Sequence, residues 1–129
     1  MNTLSPARWQ FPARLAISAG LVTTGLVHTQ LYGRGYRSID YVGPSFAIQA
    51  AAAFALAALV LIGPWSLRAA AAVLSAASLA GFVLSRTSGL FGFTETGWQP
   101  VPQAMVAVVA EIVTLVVCLV SLYRSELRT

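Results

Sequence analysis

The chain has 129 residues, a mass of 13.6 kDa and a mean hydropathy of +0.76, with 57% apolar and only 9% charged residues. A soluble domain has roughly 45–50% apolar and 25% charged residues, and a short chain buries only about two-thirds of the surface that its unfolded form exposes. The composition therefore excludes a soluble enzyme, a disulfide scaffold and a disordered tail, and it indicates a protein whose solvent is largely lipid.

The charged residues and the cysteine content exclude further classes. All eight basic residues are arginines, and with four acidic residues they give a formal net charge of +4. They are scattered at the edges of apolar runs, so we expect no nucleic-acid partner. The absence of lysine excludes a Schiff base with a carbonyl group. Because Cys118 is the single cysteine, neither an intrachain disulfide nor a pair of thiolate ligands can form.

Four apolar segments are separated by charges, prolines and glycines. They cover about 11–32, 44–63, 67–85 and 102–123, and each is long enough to span a hydrocarbon core of about 30 Å at 1.5 Å per residue. The first is diluted by polar residues, and a secretory signal peptide is its main competitor, but no small-residue cleavage pattern follows it. The sequence therefore predicts one all-α membrane domain over 1–129, with four transmembrane helices.

The connections between these segments predict an up-down-up-down bundle. A tight turn at 63–66 makes the second and third helices antiparallel neighbours, and loops 33–43 and 86–101 then lie together on the opposite side. The arginine count favours cytoplasmic termini in a multi-pass protein of the cell membrane, while a mixed topology stays open. Arg8, Arg14, Arg68, Arg124 and Arg128 lie on the side of the termini, and Arg34, Arg37 and Arg86 lie on the side of the loops.

The fourth segment carries a stripe of small and polar residues at alternating steps of four and three. This stripe predicts a face that packs against protein. Glu111 lies within it, about 13 Å below the end near Pro102 and close to the bilayer midplane. An ionisable group there costs about 2.5–3.5 kcal/mol on insertion scales, so we expect it to face the interior, to be protonated or to have a partner. The stripe consists of Pro100, Ala104, Ala107, Glu111, Thr114, Cys118 and Ser121.

Glu111, His28 and Gln49 form a candidate polar site inside the membrane. His28 and Gln49 each lie about 5 Å nearer the loop side than Glu111, within reach of a hydrogen bond, direct or through water. Three roles stay open: a structural contact that fixes helix pairing, a proton or cation site, and a site for a ligand, quinone or metal. One histidine and one cysteine fall short of a zinc or copper site, so we expect no metal and no cofactor.

Small residues spaced four apart are typical of close helix contacts in membranes. One such row lies on the first helix and points His28 inward, and another lies on the third. Both are predicted to be helix-packing faces. The rows are Ala16, Gly20, Thr24, His28 and Tyr32 on the first helix, and Ala77 and Gly81 on the third.

The loop 86–101 alternates glycines with large apolar residues, among them Trp98. This composition suits a segment that lies in the membrane interface or folds back over the bundle, so an aromatic anchor and a lid or docking surface both stay open. Arg86 is expected to reach toward the interface or to bind a loop carboxylate. Glu95 is the acid of this loop, and a pair with Arg86 or Arg34 would contribute little because it is partly exposed.

A resemblance rests on LSRTSGLFGFTETGWQPVPQAMVAVVAEIVTLV, which covers 84–116, together with His28. The chain resembles a group of small, uncharacterised four-helix integral membrane proteins from actinobacteria. The most specific part runs from Ser85 to Phe93, with Trp98 and Glu111. The resemblance implies a four-helix membrane fold and an actinobacterial source, which the arginine- and alanine-rich composition suits, and it implies no activity.

Two classes of function follow from these features. The first is a non-catalytic accessory subunit or assembly factor that packs against a larger membrane complex, favoured by the small-residue faces and by the lack of a catalytic constellation. The alternative is a small proton-coupled exporter of cations or multiple drugs that acts as a dimer. Small multidrug-resistance transporters resemble this chain only in size and outline, and their essential glutamate lies in the first helix. We expect the partners to be the lipid bilayer and either another membrane protein or a second copy of the chain.

Overall fold

The computed structural model describes residues 6–127, and of residues 6–8 it describes only the backbone. Within that range the protein is all-helical, with four α-helices and one short 3-10 turn. Each predicted segment is thus helical, although the first helix begins before the predicted residue 11 and continues through Pro12. The α-helices are α1 (Pro6–Gly33), α2 (Val42–Leu59), α3 (Trp65–Arg86) and α4 (Gln103–Glu126), and the 3-10 turn is Tyr36–Ser38.

The helices differ in how well they suit a membrane. Among the described residues, three helices, α2, α3 and α4, are long and apolar enough to cross one. α1 is the longest, with 28 residues, but polar residues between 23 and 30 dilute its apolar sequence. The fold is therefore that of a helical, membrane-like protein with these three candidate spans.

The packing order places α1 between α2 and α4, with α3 on the far side of α4. Adjacent helices are antiparallel. The side-chain amides of Gln30 near the end of α1 and Gln103 at the start of α4 are 3.2 Å apart, and Arg68 near the start of α3 bonds Ser121 near the end of α4. The predicted neighbours α2 and α3 share a core only near their connecting turn.

We call the half of the bundle nearest the α2–α3 turn the turn half, and the half nearest residues 34–41 and 87–102 the loop half. The larger core cluster occupies the turn half, where alanines on α2 and α3 let the backbones approach closely. A smaller cluster of Val27, Leu31 and Ala107 lies in the loop half, packed against Tyr36 and Phe46. The turn-half cluster consists of Ile17, Leu21, Ala53, Ala57, Val60, Ala71, Ala72 and Cys118.

Two of the predicted packing faces are confirmed. On α4, every stripe residue from Ala104 to Ser121 is buried. On α1, Gly20 approaches α4 so closely that an added Cβ would overlap the hydroxyl of Thr114 and lie 3.3 Å from the carbonyl oxygen of Ala110. The buried row of α1 includes Thr24 and His28, whereas Tyr32 at its end is exposed. His28 therefore points inward, as predicted.

The predicted packing face at Ala77 and Gly81 is wrong. Ala77 is exposed, and a Cβ added at Gly81 would make only an ordinary contact, 3.7 Å from Leu90. α3 instead buries residues on another face, which meets α4 and the turn-half core. These residues are Arg68, Ala71, Ala72, Ser75 and Ser85.

The side chains of Arg14 and Arg68, which the sequence places at the edge of the membrane, point into the turn half. Arg14 donates from Nη1 to the carbonyl oxygens of Val60 at 2.6 Å and Gly63 at 2.8 Å, which caps the end of α2. Arg68 is buried, and its Nη1 donates to the hydroxyl of Ser121. Of the other arginines counted on this side, Arg128 and the side chain of Arg8 lie outside the described residues.

Candidate functional site

Glu111 connects three helices. Its side chain is 1% exposed, and its Oε1 accepts hydrogen bonds from the Thr24 hydroxyl at 2.7 Å and the Ser78 hydroxyl at 2.6 Å. Because Thr24 lies on α1 and Ser78 on α3, one carboxyl oxygen joins both helices to α4. A buried polar group requires such partners.

His28 joins this network through Thr24 rather than by a direct bond to Glu111. Its Nδ1 lies 2.8 Å from the Thr24 carbonyl oxygen and 3.2 Å from the Thr24 hydroxyl. A carbonyl oxygen can only accept, so Nδ1 carries the proton in this arrangement. The imidazole ring meets Phe46 of α2 edge to face, with the ring centroids 4.9 Å apart. His28 therefore links the Glu111 network on α4 to the Phe46 ring on α2.

Gln49 lies near the other predicted site residues without bonding Glu111. It is half-buried, and its Nε2 has no hydrogen-bond partner among the described residues. The residues that do bond Glu111, Thr24 and Ser78, were not predicted as its partners. Serine and threonine in helices often bond the carbonyl four residues earlier, so their presence in the sequence does not reveal a contact between helices.

A cavity of about 460 Å³ occupies the loop half. Its deep end is lined by Glu111, Ser78, His28 and Gln49, so all three predicted membrane-embedded polar residues face one space. The walls of the cavity nearer the loops are mainly aromatic. Among the described residues, no group of three or more histidine, cysteine, aspartate or glutamate side chains could hold a metal ion. The aromatic wall residues are Tyr36, Phe46, Phe82, Phe91 and Phe93.

The loop 87–102 folds back over the mouth of this cavity. Arg86 fixes the loop by donating to the carbonyl oxygens of Gly97, at 3.0 Å, and Gln99. Its guanidinium also stacks 4.1 Å above the centre of the Phe82 ring. Arg86 was expected to reach toward the interface or to bind a loop carboxylate, and neither describes its hydrogen bonds in the loop, which go to backbone carbonyls. A tight turn in the loop depends on Gly92, whose φ of +80° disfavours other residues.

The two loops are joined above the cavity by Tyr36 and Glu95. The Tyr36 hydroxyl donates to Oε2 of Glu95 at 3.0 Å, and the Tyr36 ring stacks on Phe46 with centroids 5.1 Å apart. Burial raises the pKa of Tyr36 to about 12, and the hydrogen bond and negative charge of Glu95 add to the shift. Trp98 packs on Phe82 but stays 49% exposed. The cavity thus has a polar deep end, aromatic walls and a hydrogen-bonded cover.

Comparisons with protein families, with curated proteins and with solved structures find no match to this chain. The resemblance to small actinobacterial membrane proteins therefore stays a prediction.

Proposed function

We propose that the protein is a four-span membrane protein in which α1 is the fourth span. The support is the direction in which α1 turns its side chains. Its polar Thr24 and His28 are buried against α4 and α2, whereas outward positions such as Leu15 and Leu26 are apolar. Two of the polar residues that lower the hydropathy of α1, Thr24 and His28, therefore face protein. The exposed Thr29 satisfies its hydroxyl within the helix by donating to the carbonyl oxygen of Gly25.

We further propose that the protein lies in the cell membrane with both termini in the cytoplasm. The arginine distribution supports this orientation. Cysteine labelling at Ser38 and Thr96, in a Cys118→Ser background, tests it. Labelling from the external side alone is expected, and labelling of either loop only from the cytoplasmic side contradicts the orientation.

For the activity, we propose that the protein binds a small, mainly apolar molecule in the cavity, as a non-catalytic subunit of a larger membrane assembly. The cavity itself carries this proposal. Ligand sites typically have volumes of about 300–1,000 Å³, mostly apolar walls and a few converging polar groups. The present cavity fits this description, because its walls are mainly apolar and aromatic, with one group of polar side chains around Glu111 and the Arg86 guanidinium nearer the loops.

Carbene labelling in lipid nanodiscs tests the binding proposal. An apolar diazirine, adamantyl diazirine, is expected to label the cavity residue Phe46 as well as lipid-facing Val109 and Leu119. Gly81→Trp should fill the cavity, because the Gly81 position has room for a side chain. Labelling of Phe46 is expected to fall in this variant while that of Val109 stays constant. Wild-type protein with no label at Phe46 would contradict the proposal.

The role as an accessory subunit is tested by purification from the native membrane in mild detergent. A larger partner that co-purifies in stoichiometric amount supports it, whereas an isolated dimer contradicts it. The large apolar residues on the outer face of α4, such as Val109, Val116 and Leu119, are exposed and are available to lipid or to such a partner.

The alternative of a proton-coupled cation exporter is favoured by one observation, the position of Glu111 at the deep end of the cavity. A second feature opposes it, because Arg86 also lines the cavity and repels a cation. Glu111→Gln separates the two functions. An exporter loses substrate resistance in this variant, whereas a binding subunit keeps normal assembly with its partner.

A further inference from the structure

The cavity has an opening in the side of the bundle. Five of its lining residues are also exposed on the outer surface, four of them on helices and one, Phe91, in the covering loop. The helical ones are Ser45 on α2 and Ala77, Ala80 and Leu84 on α3. They face each other across the α2–α3 seam, where the two helices share no core outside the turn half. From Ala77 to Leu84 the exposed rim extends about 10 Å along α3.

The other sides of the cavity are bounded by packed elements. α1 and α4 share the loop-half core of Val27, Leu31 and Ala107, and all three residues line the cavity. The loop 87–102 covers the mouth through the Arg86 bonds and the Tyr36–Glu95 bond. The exposed rim of the α2–α3 seam lies within helices that are apolar enough to cross a membrane. In a chain that spans the membrane as proposed, the seam opens toward hydrocarbon rather than toward water.

We propose that the cavity receives its ligand from the bilayer through the α2–α3 seam, and that this ligand is a neutral, lipid-soluble alcohol or phenol. This inference rests on the proposed binding function. Access from the bilayer requires a molecule that partitions into lipid, and aromatic walls suit an apolar body of moderate size. An engineered cavity of about 150 Å³ already holds benzene, so a larger molecule fits in 460 Å³.

The hydroxyl head group follows from the unsatisfied chemistry at the deep end. Both hydrogen bonds to Glu111 end on Oε1, and Oε2 accepts none from the described residues. Gln49 offers an Nε2 donor with no partner there. A hydroxyl group both donates and accepts, so it matches the Glu111 carboxyl group in either protonation state, and it accepts from Gln49 once that amide turns toward the cavity.

Charge at the site argues against an ionic head group. An anion would meet the Glu111 carboxyl group, and a cation would share the cavity with the Arg86 guanidinium. Either ion would also have to cross hydrocarbon to reach the seam, which is costly. A neutral hydroxyl avoids both penalties.

Photolabelling in nanodiscs with a diazirine-bearing long-chain alcohol tests the route of access. Ala80→Trp places an indole on the rim of the seam, and Ala76→Trp places the same group on an exposed position of α3 that does not line the cavity. Labelling of Phe46 is expected to fall at least tenfold with Ala80→Trp and to stay near the wild-type level with Ala76→Trp. A second rim variant, Leu84→Trp, is expected to act like Ala80→Trp.

Two further probes test the head group: the corresponding diazirine alkane without a hydroxyl, and the corresponding quaternary ammonium. The alcohol is expected to label Phe46 about tenfold more than either, and Gln49→Leu should reduce this preference. Equal labelling by the alkane overturns the head-group assignment, and labelling that survives both rim variants overturns access through the seam. If adamantyl diazirine also leaves Phe46 unlabelled in wild-type protein, the binding function itself fails.

Discussion

In the turn half, the four helices close around alanines, whereas in the loop half the same helices surround a cavity of about 460 Å³. On α2, Ala53 and Ala57 face the turn-half core, but Phe46 and Gln49 occupy the equivalent face toward the loops. On α3, the small Ala71 and Ala72 of the turn-half core are followed, toward the loops, by Ser78 and the large Phe82, which line the cavity. Small side chains let the backbones approach, and large ones hold them apart.

This difference shows how one bundle combines stability with a binding space. The turn half provides close packing and the capped end of α2, so it can hold the helices in place. The loop half then tolerates a gap between α2 and α3, because Arg86 and the Tyr36–Glu95 bond close its top.

A leucine at Gly20 should be far more disruptive than one at Gly81. At Gly20 any Cβ overlaps Thr114, and overpacking typically costs 1–3 kcal/mol or more. At Gly81 the side chain enters the cavity. We expect Gly20→Leu to abolish monodisperse protein in detergent, and Gly81→Leu to behave like Leu59→Ala, a change at an exposed position. Equal loss of folded protein at both glycines would contradict the distinction between closed and open regions.

Arg14→Ala should destabilise the turn half by about 2–3 kcal/mol, because a hydrogen bond to a charged group contributes about 1.5–3 kcal/mol and the two bonds of Arg14 share one part-buried donor, Nη1. The variant removes two such bonds, to the carbonyls of Val60 and Gly63. Thermal unfolding in detergent measures the effect. Arg37→Ala is the control, since it makes the same charge change at an exposed loop residue. If Arg14→Ala and Arg37→Ala unfold at the same temperature, the bonds of Arg14 to the end of α2 do not stabilise the turn half.

Glu111→Leu should destabilise the protein by about 1 kcal/mol. The substitution removes the acceptor of the Thr24 and Ser78 hydroxyls, and hydrogen bonds between membrane helices average about 0.6 kcal/mol. Glu111→Gln keeps a carbonyl oxygen and should be close to wild type. Unfolding of both variants in the same detergent gives the comparison, and equal stability of the Leu and Gln variants would exclude a structural role for the carboxyl group.

Tyr36→Phe should have the smallest effect, because the Tyr36–Glu95 bond that it removes is partly exposed. Limited proteolysis of loop 87–102 is expected to accelerate while the unfolding temperature changes little. Folding favours the neutral phenol, since the pKa is raised from 10.0 to about 12. The stability that the neutral Tyr36 phenol contributes to the folded protein is therefore complete below pH 10.0 and is lost as pH rises through about 12. Tyrosinate absorbance in which no late-titrating group disappears with Tyr36→Phe would contradict the buried, hydrogen-bonded position of Tyr36.

Much of the site was accessible from the sequence because helix faces follow a local rule. With 3.6 residues per turn, the spacing of Glu111, Thr114 and Cys118 places them on one side of α4 wherever the helix lies. The same rule pointed His28 inward on α1. Because an ionisable side chain is costly in hydrocarbon, Glu111 was also expected to face protein. These predictions needed no knowledge of the neighbouring helices, and the structure agrees with them.

Helix periodicity was enough to predict the four helical segments, the inward faces of α1 and α4, and a shared space for Glu111, His28 and Gln49. The tertiary structure decided that Thr24 and Ser78 bond Glu111, that Gly81 lines a cavity and that Arg86 binds loop carbonyls. The reason is physical. Periodicity fixes where a side chain points on its own helix, but the distance to the next helix depends on the bulk of both faces along their whole length. That distance separates a packing contact at Gly20 from open space at Gly81.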